Sequence, residues 1–582
     1  MKNIYNSLKF ILTFLLVFMF GCETVDLNQL ERKNQVTIDL AEPTYVFNYI
    51  QIALPEFVDS ANDFTQQVTR QMAMTGGKTY ENAFAPVNSN VNWSTAYEIL
   101  TAIKLMEPKA TQRKQTQILG ASKIIRAYVM LTLVDLYGDV PYSEAFLGNE
   151  NLNPKYDKSA DVYKKALLEL DQALLLLDET LNPVVEDLEN PILDLYYGTG
   201  IDKKFQPSKW KTLARTLKFR AYVTARKAGA ELGVNISSEL ATLMSQDIID
   251  TASEDFVFKY STSQDPLSRH PLFSQSYQSN VTPPYISNYM LWTMVREKPT
   301  SSTNPAQADN NLVDPRTKYY FYNQVGNADS SDSFDLPCKT SSRPDQYNFS
   351  EYASFYRPNR FTPFCTTKTS STLNSTPYWG ADHGYAVGRP QDGAKVTIVG
   401  LYPAGGKFGG GSSPQTVNAS AGEKGAGIMP ILLSSYVRFL KAEAYHTVFS
   451  DPASARIEMD LAINASIDKA STLFSGYALP TTTERTLYFS FVDTNYDNNP
   501  NKQLEIIMKE FFIASWGNGI ETYNNYRRTG FPSNLQPTLE PYPGDFFSTA
   551  LYPSNSITNN QNAPQNIRTK KTFWDVNSPI LH

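Results

Sequence analysis

RAYVMLTLVDLYGDVPY, residues 126–142, decides the fold class. Ahead of and within it, Ile124, Ile125, Tyr128, Val129, Leu131, Leu133, Val134 and Leu136 are apolar on nearly every side of a 3.6-residue spiral. A helix that is apolar all round is buried. Gly138 supplies the exit and Pro141 forbids continuation, so the spacing predicts a core helix over Gln115–Tyr137. Three- and four-residue apolar spacing predicts further helices at Ala41–Phe64, Trp93–Glu107, Asp157–Asp178, Pro207–Gly229 and Ser237–Thr251. It predicts later pairs at Met429–Phe449 with Ala453–Leu473, and at Lys502–Trp516 with Gly519–Arg528. Trp210, Leu213, Ala214 and Leu217 match the opening of the tetratricopeptide pattern, with ordinary helix-hairpin packing as the alternative. The fold class is therefore mainly α, a scaffold of helix pairs.

Between about 252 and 427 the helical spacing fades into Pro, Ser, Thr, Asn, Gly and aromatics. Disordered segments are poor in aromatics, so this stretch reads as an ordered, loop-rich insertion. Aromatics make up 13% of the 582 residues, which is enough to supply both a core and a binding surface. A ring offers an apolar face, and Tyr and Trp add a polar edge, which suits the C–H face and hydroxyl rim of a sugar. Candidate ligand-binding residues are Tyr285, Tyr289, Trp292, Tyr378, Trp379, Asp382, His383 and Tyr385. Packing within the insertion is the competing assignment for each. Trp93, Trp210 and Trp516 fall on helical patterns and read as core.

Residues 1–21 have the form of a secretory signal. Lys2 and Lys9 precede the apolar run Ile11–Phe20, which is about half the roughly 20 residues a membrane span requires. Gly21 before Cys22 gives a lipoprotein-type ending, with the Cys22 thiol as lipid attachment and 22–40 as a polar tether. Residues 41–582 then read as a single domain. An exported protein meets an oxidising space, so Cys338 and Cys365 form either a disulfide or two free thiols.

Catalytic and metal chemistry finds little support. The four His, at 270, 383, 446 and 582, have no zinc-ligand spacing, and no Gly-x-Ser-x-Gly elbow accompanies Asp382-His383. Gly77-Lys78-Thr79 and Gly406-Lys407 end like phosphate loops but carry Met72 and Leu401 where the first Gly belongs. Asp493-Thr494-Asn495-Tyr496-Asp497 resembles the start of a calcium loop, with Asn498 in place of the turn Gly and Glu505 one residue late. A formal charge of −6 lacks the basic field that nucleic acid demands. No catalytic residue, metal or cofactor is expected.

Several segments together resemble the SusD/RagB family of Bacteroidetes outer-membrane lipoproteins. They are Asn92–Tyr97, the 126–142 run, Tyr436–Ala444, Tyr526–Gly530, Tyr552–Asn560 and Lys571–Asp575. Glu23, Asp26 and Glu31 after Cys22 are similar to the acidic surface-export signal of such lipoproteins. The resemblance implies a mainly helical fold with tetratricopeptide-like pairs forming one side and the insertion forming a ligand face. It also implies a lipid-anchored, surface-exposed outer-membrane protein without catalytic activity. Such a protein captures oligosaccharide, or in some relatives peptide, for a SusC-type TonB-dependent transporter. Arg126, Asp135, Arg438 and Glu443 would be structural ion partners or partner-facing groups.

Overall fold

The computed structural model describes residues 42–74, 83–183, 191–278, 283–295, 297–298, 312–324, 380–381, 383–384, 397–410, 417–536, 538 and 545–576. The chain separates into two units, Met1–Glu42 and Pro43–His582, and of the first only Glu42 is among the described residues.

The second unit is built from helix pairs. Its first half holds α1 (Pro43–Val68), α2 (Asn90–Gln112), α3 (Thr116–Tyr137), α4 (Ser159–Leu176), α5 (Pro207–Thr224) and α6 (Ile236–Met244). α1 packs on α2, α2 on α3, α3 on α4, α4 on α5 and α5 on α6. From Ile118 onward every α3 residue except Lys123 is buried, as the all-round apolar pattern requires. α3 is long and apolar enough to cross a membrane, but it is the buried centre of a protein core. Each of its fully buried Leu, Ile and Val side chains contributes about 1.5–3 kcal/mol. Gly138, at φ +81°, turns the chain out of the helix. Val140–Pro141 (β1) then pairs with Tyr156–Asp157 (β2).

Between the two sets of helices lie β3 (Phe256–Lys259), α7 (Pro271–Ser276), α8 (Asn288–Val295) and the short paired strands β4 (Phe321–Tyr322) and β5 (Ile398–Val399). The 252–427 stretch therefore holds helices that its composition conceals. β6 (Ile428–Leu432) pairs antiparallel with β3. The predicted helix Met429–Phe449 thus splits into β6 followed by α9 (Ser434–Thr447). Ile428–Leu432 is a continuous apolar run whose period cannot separate strand from helix, and Pro430 is tolerated in a strand with a free edge.

Next come α10 (Pro452–Thr472), α11 (Thr482–Asn498), α12 (Gln503–Ala514) and α13 (Gly519–Thr529), and a short helix, Ser554–Asn559, follows them. Sequence periodicity misses α11, because its buried stripe is only Tyr488, Val492 and Tyr496. A full capping box starts it, Thr481 receiving the Glu484 N–H while the Glu484 carboxylate receives the Thr481 N–H. α13 begins with Asn518 accepting the Glu521 N–H and ends at Gly530 in the left-handed conformation. Gly519 lies against α1, where an added Cβ would stand 2.5 Å from the Gln66 backbone nitrogen. Gly519→Ala must push α13 off α1, and we expect a loss of about 1–3 kcal/mol in chemical unfolding.

Much of the aromatic content is core. Trp210 and Trp516 are fully buried. The Trp210 indole donates to Asp194, and its ring meets Phe205, Tyr197 and Phe256. Trp93 is half-buried and stacks edge-on against Tyr137.

Polar groups buried with this core are paired across elements. Asp135 of α3 accepts from the Trp574 indole (3.0 Å) and the Asn524 amide (2.7 Å), and faces Arg220 at 3.7 Å. Arg220 also pairs with Glu521. Glu443 of α9 holds Arg528 (2.6 Å) and Arg226 (2.8 Å). Arg126 bridges Glu107 and Glu169, and Arg438 pairs with Glu458. Arg126, Asp135 and Glu443 are thus buried ion partners, and Arg438 is a half-buried one.

Candidate functional site

α8 lies across α12, which brings residues far apart in sequence to one cleft. Its volume is about 220 Å³. Glu297 and Lys298, just after α8, form one wall. α12 contributes Glu505, Lys509 and Glu510, α11 contributes Phe491 and Asn495, and Asn534 closes it beyond α13.

Lys509 organises the rim. Its ammonium donates to Glu297 (2.8 Å), to the Tyr289 hydroxyl (2.6 Å) and to the Asn534 carbonyl (3.2 Å). It also lies 4.6 Å from the Tyr289 ring centroid and 5.6 Å from that of Trp292. Burial pulls the Lys509 pKa below the usual lysine value, and the Glu297 carboxylate offsets part of that. Asn534 donates to Glu297 (2.8 Å) and accepts from Tyr289 (2.8 Å). Lys509, Glu297, Asn534 and Tyr289 therefore hold one another's orientation before a ligand arrives.

The floor is a buried charge network. Glu510 accepts from Arg316 (3.1 Å), and Lys298 stands 3.5 Å from Glu510. Arg316 forks onto both oxygens of Asp314 at 2.9 and 2.7 Å. The Tyr488 hydroxyl lies 2.7 Å from Glu510 and 2.6 Å from Asp314, and gives its one proton to one of them at a time. Burial alone would raise the Asp314 pKa, but the Arg316 guanidinium outweighs it and holds the carboxyl below the ordinary value.

Two of the sequence candidates, Tyr289 and Trp292, stand beside Lys509 at this cleft, though neither is among the residues that line it. Trp292 flanks it half-buried, while Tyr289 is fully buried and offers its hydroxyl rather than its ring face. Tyr285 is buried away from solvent, and its carbonyl accepts the Ala73 N–H. His383 is also buried, its backbone N–H donating to Gln536, and burial together with Arg70 holds its pKa well below the usual histidine value. Tyr378, Trp379, Asp382 and Tyr385 lie outside the described residues, as do Cys22, Cys338 and Cys365. The described residue Ala381 pairs with Ile286 and Asn288 at the start of α8.

Sequence reading misses Glu297, Lys298, Lys509 and Asn534. Charged residues on and between helices look like solvated surface, and only tertiary packing converts them into a cleft.

The calcium-like run takes a different form from the one its composition suggests. Asp493 and Asp497 sit one turn apart on α11 and both pair with Arg456, at 3.3 and 2.8 Å. A helical backbone cannot wrap its carbonyls around a cation as a calcium loop does. Burial and the neighbouring Asp493 push Asp460 up to about 7 at the edge of this cluster.

Comparison with known proteins gives a consistent result. The SusD-like family model, described as starch-binding and associating with the outer membrane, matches residues 33–334 and 360–545. A chitin-binding SusD homologue from Flavobacterium johnsoniae superposes with a TM-score of 0.60 at 17% identity, over 92% of this chain and 100% of that one. A SusD/RagB family protein from Bacteroides thetaiotaomicron gives 0.63 at 17% identity with the same coverage. A SusD homologue from Bacteroides fragilis gives 0.61 at 14% identity, again over 92% and 100%. No curated protein matches the chain. At these identities the likeness establishes a shared mainly helical fold.

Proposed function

Since the chain belongs to the SusD-like family, we propose that it captures oligosaccharides at the outer membrane and delivers them to a SusC-type TonB-dependent transporter. In this reading residues 1–21 are removed, Cys22 carries the lipid, 22–40 is the tether and the rest faces the outside of the cell. The protein binds and passes on its ligand without altering it.

The observation that carries the reading is the fixed rim of the cleft. A lysine, a carboxylate and an amide converge there, locked by mutual hydrogen bonds, and the Trp292 ring stands beside them, 5.6 Å from the Lys509 ammonium. A sugar ring needs an apolar platform and hydroxyl partners of both kinds, and a pre-ordered set costs little to organise on binding. The family description and the chitin-binding homologue add weight to a glycan over a peptide.

The test is calorimetric titration of the purified chain with a panel of oligosaccharides and a matched panel of peptides. We expect carbohydrate binding, and Trp292→Ala should weaken it about tenfold through loss of the ring face. Peptide binding with no carbohydrate response sinks the glycan reading. Unchanged affinity in Trp292→Ala removes this cleft from the site.

A further inference from the structure

Among the described residues the cleft has two buried polar atoms without a hydrogen bond, on consecutive residues. Glu297 gives one carboxylate oxygen to Lys509 and Asn534, while the other, Oε2, is buried with no hydrogen-bond partner among the described residues. The Lys298 ammonium, its side chain only 6% exposed, has no hydrogen-bond partner among the described residues; its partners are the Glu510 carboxylate at 3.5 Å and the Tyr488 ring at 5.2 Å. Buried polar groups are ordinarily satisfied, and each exception calls for a cause. Here one exception is an acceptor and the other a donor, and both line the same cavity.

From this juxtaposition we propose that the cleft selects an uncharged sugar ring, one whose hydroxyl or amide donates to Glu297 and accepts from Lys298. The inference rests on the glycan reading above and narrows it. A hydroxyl is both donor and acceptor, so one ligand group or two neighbouring ones complete both residues. A uronate carboxylate can accept from Lys298 but has no proton to give Glu297, and an amino-sugar ammonium can donate to Glu297 but has no lone pair for Lys298, so each leaves one of the two residues facing a like charge. The rest of the lining does not tip the balance, because Lys298, Lys502 and Lys509 are matched by Glu297, Glu505 and Glu510. The cavity volume of about 220 Å³ is below the roughly 300–1,000 Å³ of sites that engulf a drug-sized ligand. It therefore takes one ring of a longer chain.

Titrating the purified full chain with matched neutral, uronate-bearing and amino-bearing oligosaccharides tests this. Maltohexaose, chitohexaose, hexagalacturonate and the chitosan hexamer are suitable probes. A neutral member should bind at least about tenfold tighter than its charged counterparts, since a site built to hydrogen-bond a hydroxyl rejects what leaves it unpaired. Glu297→Gln and Lys298→Met should each weaken neutral binding at least about fivefold. They should also act in opposite senses on selectivity. Glu297→Gln narrows the discrimination against the uronate, and Lys298→Met narrows it against the amino sugar. A merely structural role moves neither ratio, and Glu297→Gln keeps the side-chain shape if Lys298→Met folds poorly. Equal or tighter binding of a charged probe overturns the inference while leaving the glycan reading standing. So do unchanged selectivity ratios in a folded Glu297→Gln variant. No binding by any carbohydrate overturns the glycan reading, and the inference falls with it.

Discussion

Glu443→Ala is expected to lower the unfolding free energy by about 3–5 kcal/mol. Glu443 is fully buried in α9 and is the shared partner of Arg226 from just beyond α5 and Arg528 from α13. Arg528 grips it with two hydrogen bonds, from Nε at 2.8 Å and Nη2 at 2.6 Å. Removing the carboxylate leaves two guanidinium groups close together inside the protein with no opposite charge. The buried environment already depresses the Arg226 pKa, and Arg528 beside it adds to that. Urea unfolding at neutral pH reads the loss directly. The pH dependence gives a second check. Burial would raise the Glu443 pKa, but the two arginines overcome it and hold the value below the ordinary one. Its stabilisation is therefore complete above the unfolded glutamate pKa of roughly 4.3 and is lost as pH falls through the lower folded value. The gap between wild type and Glu443→Ala should narrow below about pH 4. A variant with the wild-type urea midpoint would show that the three groups are not coupled.

The same residue shows how much of this molecule its sequence displays. Tyr436–Ala444 is legible as a helix because its apolar positions recur at helical spacing, and Glu443 inside it is an obvious anomaly. Which arginines answer it is not legible, since Arg226 and Arg528 lie some 300 positions apart. Core helices such as α3 are legible because burial on every side leaves no ambiguity of period. α11 is not, because three buried residues over seventeen give too thin a stripe and its capping box is a local signal easily passed over. β6 is misread because an unbroken apolar run fits either period. The cleft follows the same division. Trp292 and Tyr289 stand out as aromatics in the loop-rich stretch, and both lie beside Lys509. Tyr289 nevertheless turns out to be a hydrogen-bonding pillar for Lys509 instead of a stacking face. Glu297, Lys509 and Asn534 have no signature in the chain, because their chemistry exists only once α8 rests on α12.

Arg316→Met should cause a loss of similar size, about 3–5 kcal/mol, and should disturb the cleft as well. Arg316 is fully buried and is the centre from which Asp314, Glu510, Tyr488 and Ser466 are held. Without it Asp314 and Glu510 share one buried site, with Lys298 as the nearest remaining cation to Glu510 at 3.5 Å. Two carboxylates in such a site cannot both stay ionised cheaply, so one takes up a proton. The sign of the pH effect follows. In the wild type Asp314 is held below its ordinary pKa, so its contribution is full above roughly pH 3.9 and fades as pH falls through the folded value. In the variant the carboxylates are shifted upward, which makes acid comparatively favourable. The stability difference should therefore be largest at neutral pH and shrink toward pH 4. Glu510 also forms the cleft floor, so losing its anchor frees it to draw Lys298 into a closer pair. Ligand affinity should then fall, because the ammonium would no longer be open to a sugar hydroxyl. Unfolding at pH 7 and pH 4 alongside calorimetric titration separates the two effects. A destabilised variant that keeps full ligand affinity would assign the Arg316 network to the fold alone and detach it from the binding floor.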